Sequence, residues 1–495
     1  YESTAREGYD DEDRSLTQRL QLPKEVPGAG VPPLSLPERD PNDLTPRNEA
    51  IDRLFPELPA PTRIAPTPPA GRQRMSLDAI KELALQNSPI LQQAQADIES
   101  AIGTAVQSGT HPNPIVGYEA DTVNSLGSRN YQGVFFTQLI KTGGKLELAR
   151  AADNVALMNR QVALRRSRFD LLARTQANYF QVLVAQETLR ATEAFVRFSN
   201  EVYRVQVDQL KGGEVNAYEP MQLRAFALQA RSAYASAQNR YISAWKQMAA
   251  TIGVPDLPPT PLEGQADMPV PKINYQLALA HALDHHTDVI TAVNMQSEAR
   301  LRLRLAEITP IPDISLYATF QRDFTAPGTP RTTYNTQVGM PIPVWDRNKG
   351  GIQNAQGMLM RAIEELRRSR NDLTTRMADA YERFESNRIL VEYYDSQILP
   401  DLTRAYRAIY LAHQGDPEKV GFNDIVVAQQ NLSAGVNAYL TALSAQWLAL
   451  ADLMSLVQVE HMEELTPDSL MSQEGPGAPP DELDVPPAAP PADQP

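Results

Sequence analysis

The 495-residue chain contains no cysteine. That removes thiol nucleophiles, thiolate metal ligands and disulfides together. Positive charge is in deficit as well: 46 Lys and Arg stand against 60 Asp and Glu, a net −14. A nucleic-acid binder wants a basic footprint, so this balance argues against that class. No uninterrupted apolar run reaches the roughly 18 residues of a membrane-crossing helix, and none is predicted. Catalytic signatures are missing too: there is no glycine-rich phosphate loop, no H-E-x-x-H and no G-x-S-x-G. With no nucleophile paired to a base, the chain reads as a non-enzyme without cofactor. His285-His286-x-Asp288 invites a metal reading. Adjacent histidines on a helix diverge by about 100°, however, and do not chelate as an i, i+4 pair would. A polar loop or exposed helix end is expected there, with His111, His281, His413 and His461 isolated and no metal site. The chain opens on Tyr1 without a leader, as a chain would after loss of a signal peptide, or as a fragment.

What the chain does have is a long internal repeat. Asp170-Leu171-x-x-Arg174-x-x-x-x-Tyr179 recurs as Asp372-Leu373-x-x-Arg376-x-x-x-x-Tyr381, an offset of 202. Tyr203 recurs as Tyr406, Tyr234 as Tyr439 and Pro112-x-Pro114 as Pro310-x-Pro312, at offsets of 203, 205 and 198. Slowly growing offsets mean small loop insertions. The length alone would suggest about three domains, but the repeat argues for one architecture built from two related halves.

Proline-rich, polar segments at 1–73 and 463–495 cannot bury enough apolar surface to offset their ordering entropy, and read as disordered flanks. The first half, 74–254, begins with a helix from Ser76 to about Ser108, ended by His111-Pro112-Asn113-Pro114. A hairpin at 113–141 follows, then a proline-free helix at 145–210 and a return helix at 218–252. At 1.5 Å per residue the long helix is a rod of roughly 100 Å. Leu148, Val155, Val162, Phe169, Gln176 and Leu183 recur every seven residues along it, a coiled-coil spacing with a polar lapse at Gln176. A proline-rich linker at 255–272 leads to the second half, 273–462. There a helix at 275–307, a hairpin at 313–345, a long helix at 351–413 and a return helix at 423–460 repeat the plan.

The strands alternate. Val116, Tyr118 and Ala120 oppose Gly117, Glu119 and Asp121; Ile314, Leu316, Ala318 and Phe320 oppose Ser315, Tyr317, Thr319 and Gln321. Tyr334, Thr336, Val338, Met340 and Ile342 likewise alternate with Asn335, Gln337 and Gly339. One face is apolar and one polar, over runs of about ten residues, enough to cross a bilayer as a tilted strand. The alternative is a small soluble sheet packed on helices. Four strands cannot close a barrel in lipid, where open backbone edges go unsatisfied. If these strands span a membrane, several copies must pool them.

The order of helix, hairpin, long helix, tip and return helix, done twice over 76–462, resembles the TolC family of outer-membrane efflux proteins. Local words carry the likeness further: Gln138-Leu139-Ile140-Lys141-Thr142-Gly143-Gly144-Lys145 and Pro341-Ile342-Pro343-Val344-Trp345-Asp346-Arg347-Asn348-Lys349-Gly350 at the strand-to-helix junctions, and Val420-Gly421-Phe422-Asn423-Asp424 at the second tip. The resemblance implies a mainly α fold with a small β part, assembled as a homotrimer. Its twelve-stranded β-barrel in outer-membrane lipid would continue as a helical α-barrel tunnel into the periplasm. It implies passive export alongside a periplasmic adaptor and an inner-membrane pump. The Pro-Ile-Pro and Asp-Arg-Asn words resemble members paired with heavy-metal or cation exporters, with drug efflux also open.

Carried over residue by residue, the adaptor would dock on the tips at Gly212, Gly213, Val215, Val420, Gly421, Phe422 and Asn423. Any tight turn between antiparallel helices also needs Gly and Asn. Asp424, with Glu219 in the first half, would form acidic rings at a periplasmic gate. An acid stabilised by the helix macrodipole explains both positions equally well. Val427 stands where the family often has a second carboxylate, and Pro220 follows Glu219. Two rivals remain, a soluble periplasmic coiled-coil scaffold and the adaptor itself. An adaptor would have one helical hairpin and many more strands.

Overall fold

The structure, a computed structural model, describes residues 26–27, 29–32, 34–39, 43–64, 74–121, 130–325, 328–415 and 420–472. In chain order the main elements are α1 (Thr45–Leu54), α2 (Leu77–Asn87), α3 (Pro89–Ser108), β1 (Ile115–Asp121), β2 (Tyr131–Ile140), α4 (Lys145–Gly212) and α5 (Tyr218–Thr251). Then come α6 (Tyr275–His285), α7 (Thr287–Ile308), β3 (Ile314–Asp323), β4 (Arg331–Gly339), α8 (Lys349–Tyr393), α9 (Leu399–Gly415) and α10 (Phe422–Val457). Two helices, two strands, a long helix and a return helix thus occur twice in order. The chain divides into two compact units, 1–62 with 192–234 and 63–191 with 235–495, and α4 and α5 each pass from one to the other.

Several expectations are corrected. Each opening helix is two helices, broken at Ser88-Pro89 and at His286. Proline favours the first helical position, where its missing N–H would be an orphan anyway. His286 is not exposed: it is buried, and its Nδ1 accepts from the Asp288 N–H at 3.0 Å, capping α7. Burial, only partly opposed by Asp288 and reinforced by Arg166 and Arg376, holds its imidazole down at about 4. It is therefore neutral near pH 7, and Asp288 pairs instead with Arg166 and, at 3.2 Å, with Arg376. His281 is not isolated either, since its ring stacks on His285 with centroids 4.4 Å apart.

The second long helix is also interrupted. Tyr394–Ile398 forms a π turn, with the Leu399 N–H reaching back five residues to the Tyr394 carbonyl. Pro400 sits just beyond it. Proline has no N–H to give, and its ring strikes the carbonyl four residues back, so the preceding turn widens. Strand β4 stops at Gly339 rather than running to Val344, because Pro341 and Pro343 cannot donate to a ladder. The flanks are not wholly unstructured: α1 carries the buried Ile51, and short helical turns at Met462–Leu465 and Pro467–Ser472 bury Leu465 and Leu470. One described helix, Asn423–Val457, is long and apolar enough to cross a membrane by length and composition. Its Leu443, Trp447, Leu450, Leu453 and Met454 are core residues instead.

That core, in the larger unit, gathers α4 and α5 of the first half with α8 and α10 of the second. Leu373, Met377, Ala380 and Phe384 line one face of α8 at helical spacing and are fully buried. Phe180 of α4 lies flat on Trp447 of α10, centroids 3.4 Å apart and planes 2° from parallel. The Trp447 indole donates to the Ala266 carbonyl at 2.8 Å. The doubled sequence word is structural. Leu171 and Leu373 pack inward, while the Tyr179 hydroxyl donates to the Glu263 carbonyl and Tyr381 to that of Ile273. Burial pushes the Tyr179 hydroxyl up to about 12. Gln176, the polar lapse in the heptad row, is buried with its amide bonded to no protein group.

Candidate functional site

The four strands form one antiparallel sheet in the order β1-β2-β3-β4. Directly paired residues share a face, so the register sorts the side chains. Val116, Phe136, Ala318 and Thr336 stand in one row, and Tyr118, Val134, Phe320 and Tyr334 in the next. A row of Ala120, Gln132, Arg322 and Thr332 closes that face at one end. The opposite face carries Ile115, Thr137, Tyr317 and Gln337, then Gly117, Phe135, Thr319 and Asn335, then Glu119, Gly133, Gln321 and Thr333, and is the more polar of the two. There the Tyr317 hydroxyl donates to the Glu119 carboxylate, and the Tyr317 ring packs against Phe135, centroids 6.0 Å apart. Tyr118, Val134, Phe320, Tyr334 and Val338 are all exposed on the apolar face, an aromatic and aliphatic surface too continuous for scattered chance. Among the described residues, β1 and β4 are edges with no further partner strand.

The junctions below the sheet explain the glycine- and asparagine-rich words. Gly143 adopts φ +69° in the turn that starts α4, a left-handed conformation that glycine enters without steric cost. Lys141 and Lys145 on either side of it each place Nζ 2.8 Å from the Asp313 carboxylate, which also accepts from the Thr142 N–H at 3.2 Å. At the second junction Asp346 accepts from the Asn348 N–H at 2.9 Å, and the Asn348 amide donates to the Ala306 carbonyl at 2.8 Å. Sequence reasoning missed Asp313 as the tie between the halves. The signal was a carboxylate directly after Pro310-x-Pro312, opposite two lysines.

Burial works against ionisation of Asp313, but Lys141, Lys145 and the Thr142 amide outweigh it and hold its carboxyl at about 2. A depressed folded value contributes stability above the unfolded value near 3.9 that is lost as pH falls. Wild-type protein should therefore loosen at this junction between about pH 4 and pH 2. Asp313→Asn should be destabilised by about 1.5–3 kcal/mol at pH 7 and lack that acid step. Denaturation followed at both pH values checks this.

At the first tip α4 ends at Gly212, and Gly213 takes φ +78°. The Gly213 N–H bonds to the Leu210 carbonyl at 3.1 Å and the Glu214 N–H to that of Gln209 at 3.0 Å, a Schellman closure that needs a left-handed residue. Val215 is half-buried. Glu219 accepts from the Asn216 N–H at 3.2 Å and the Gln206 amide at 2.8 Å. At the second tip α9 ends at Gly415, and residues 416–419 lie outside the described residues. His413 Nδ1 lies 2.8 Å from the Val420 carbonyl, the Gly421 N–H donates to Asp424 at 3.0 Å, and Phe422 and Asn423 open α10. Asn423 and Asp424 are exposed. Asn216 and Glu219 map onto Gly421 and Asp424 at an offset of 205, the same as Tyr234 to Tyr439. Each acid accepts from the backbone N–H three residues before it and so caps the start of its own return helix. The two tips belong to different compact units.

Residues 81–254 match the family described as Outer membrane efflux protein. The cobalt-zinc-cadmium resistance protein CzcC of Cupriavidus metallidurans is 23% identical over 380 residues, 76% of this chain and 88% of CzcC. Among solved structures, outer membrane protein VceC of Vibrio cholerae superposes with a TM-score of 0.63 at 18% identity, over 77% of this chain and 95% of VceC. The CmeC outer membrane channel of Campylobacter jejuni gives 0.62 at 15% identity, over 89% of this chain and 98% of CmeC. Residues 81–254 thus carry the likeness to outer membrane efflux proteins, and the chain, similar to CzcC over most of its length, has the fold of the solved outer membrane channels.

Proposed function

We propose that the chain is the outer-membrane channel of a tripartite efflux system, a passive conduit from periplasm to exterior. The observation that carries this is the sheet: a continuous exposed apolar face, a polar opposite face and two open edges. In water the apolar face is a liability; in lipid it is the required surface, provided the edges close. Three copies supply twelve strands and satisfy every edge. The two halves, 74–254 and 273–462 joined by 255–272, then contribute six similar units around one pore. Their long helices continue the pore into the periplasm as a tunnel. Energy and substrate choice come from an inner-membrane pump, joined through a periplasmic adaptor that docks on Gly212, Gly213 and Val215 and on Val420, Gly421, Phe422 and Asn423. The CzcC likeness favours divalent cations as cargo. Light scattering in detergent tests the assembly: three copies of the 54.8 kDa chain per particle are expected, and a detergent-free monomer contradicts it.

Asp424 and Glu219 would form the acidic rings of the periplasmic gate, in addition to their capping bonds. Asp424→Asn keeps an acceptor for the Gly421 N–H and removes the charge, whereas Asp424→Ala removes both. If the charge gates, both variants should conduct more than wild type and prefer cations less. If the residue only caps, Asp424→Ala alone changes, losing about 0.5–2 kcal/mol at the helix start.

A further inference from the structure

Ten-residue helices are marginal in water without tertiary support, so α1 is held by what it packs on. Ile51 is 0% exposed and Phe55 3%, and at a spacing of four they share one face. The Tyr203 hydroxyl donates to the Pro56 carbonyl at 3.2 Å, and Lys211 Nζ lies 2.7 Å from Asp52. Arg224 Nη1 donates to the Leu54 carbonyl at 2.9 Å, meeting the negative end of the α1 dipole. Tyr203 and Lys211 are on the last turns of α4, and Arg224 is on the second turn of α5. α1 therefore bridges both arms of the first hairpin, where Leu210 and Leu223 are buried. Upstream, the Arg39 guanidinium fills the space a Cβ on Gly213 would need, so the segment reaches the tip itself.

We infer that the first hairpin, next to its tip, carries a helix-docking groove, and that α1 is its resident occupant. The groove selects a helix with two apolar residues four apart, an acid facing Lys211 and a C-terminal end facing Arg224.

The absence of cysteine makes the test direct, because Leu223→Cys introduces a single thiol. In full-length protein in detergent, maleimide labelling of Leu223→Cys should be slow. It should be at least tenfold faster once Ile51→Ala and Phe55→Ala are added, and slow again with excess synthetic peptide of residues 43–58. The same peptide with Asp52→Lys should not restore protection. Equal labelling with and without the alanine pair, or no effect of the peptide, overturns the inference. Hydrogen exchange on the unsubstituted protein gives an independent reading: residues 45–54 should be protected, and exchange at unfolded rates overturns it. Loss of bilayer conductance would defeat the channel reading and leave these outcomes standing by themselves.

Discussion

Phe136→Arg is expected to prevent stable insertion of the chain into lipid vesicles while leaving its helical part folded. Phe136 lies in the middle rows of the sheet, between Val116 and Ala318, on the apolar face. It is 36% exposed in the isolated chain. On a soluble protein, a surface substitution there would change stability within about 0.5 kcal/mol. Facing lipid near the bilayer midplane, an arginine costs about 2–4 kcal/mol per chain. In a trimer the cost is incurred three times. Thr137→Arg is the matched control, because the next residue along β2 faces Tyr317 and Gln337 on the polar side, where water solvates the guanidinium. Urea titration of the folded fraction in vesicles separates the two. A large loss for Phe136→Arg and a small one for Thr137→Arg are expected; equal effects would return the sheet to the soluble scaffold reading.

Phe180→Ala should cost about 3–5 kcal/mol, the range for deleting a fully buried aromatic. Phe180 is 1% exposed and lies face to face with Trp447, so its removal opens a cavity at the place where the first half meets the second. Neighbouring α-helices cannot collapse into it without shifting α10, whose Leu443, Leu450 and Met454 are themselves buried. Trp447→Phe is the informative companion. It keeps a ring for Phe180 but strands the Ala266 carbonyl, which Trp447 now satisfies at 2.8 Å, and should cost about 1–3 kcal/mol. Denaturant unfolding of the detergent-solubilised protein checks both. Near-neutral behaviour of Phe180→Ala would mean that the two halves fold independently of this stack.

Much of this was legible in the residues. The alternation of Ile314 to Phe320 set the faces of β3 because a strand has a period of two, and a register slip would have reversed every side chain. Proline-free helix formers from Lys145 onward marked α4, which the structure gives as 68 residues. Breaks were harder. Pro89 and Pro400 stood in plain view, but proline at a first helical turn, at a π turn or at a kink looks alike without the carbonyl it faces. α1 was missed because Ile51 and Phe55 are only two apolar residues in a proline-rich setting, and their burial comes from a hairpin about 150 residues away in sequence. The stack of His281 on His285 joins residues one helical turn apart, a relation less visible in the sequence than the adjacent pair His285-His286. At the tips, the glycines announced a turn and the acids announced a helix start. Neither could say what approaches them, since docking is a property of two surfaces and the chain supplies one.

In the proposed assembly, copies of this chain pool their strands into a water-filled pore across the outer membrane. Single-channel recording in planar bilayers tests it most directly. Purified chain should give discrete, uniform conductance steps, and Glu119→Gln, on the polar face of the sheet, should weaken their preference for cations. Protein that is trimeric and folded yet gives no steps, in wild type and in Asp424→Ala alike, would contradict the account.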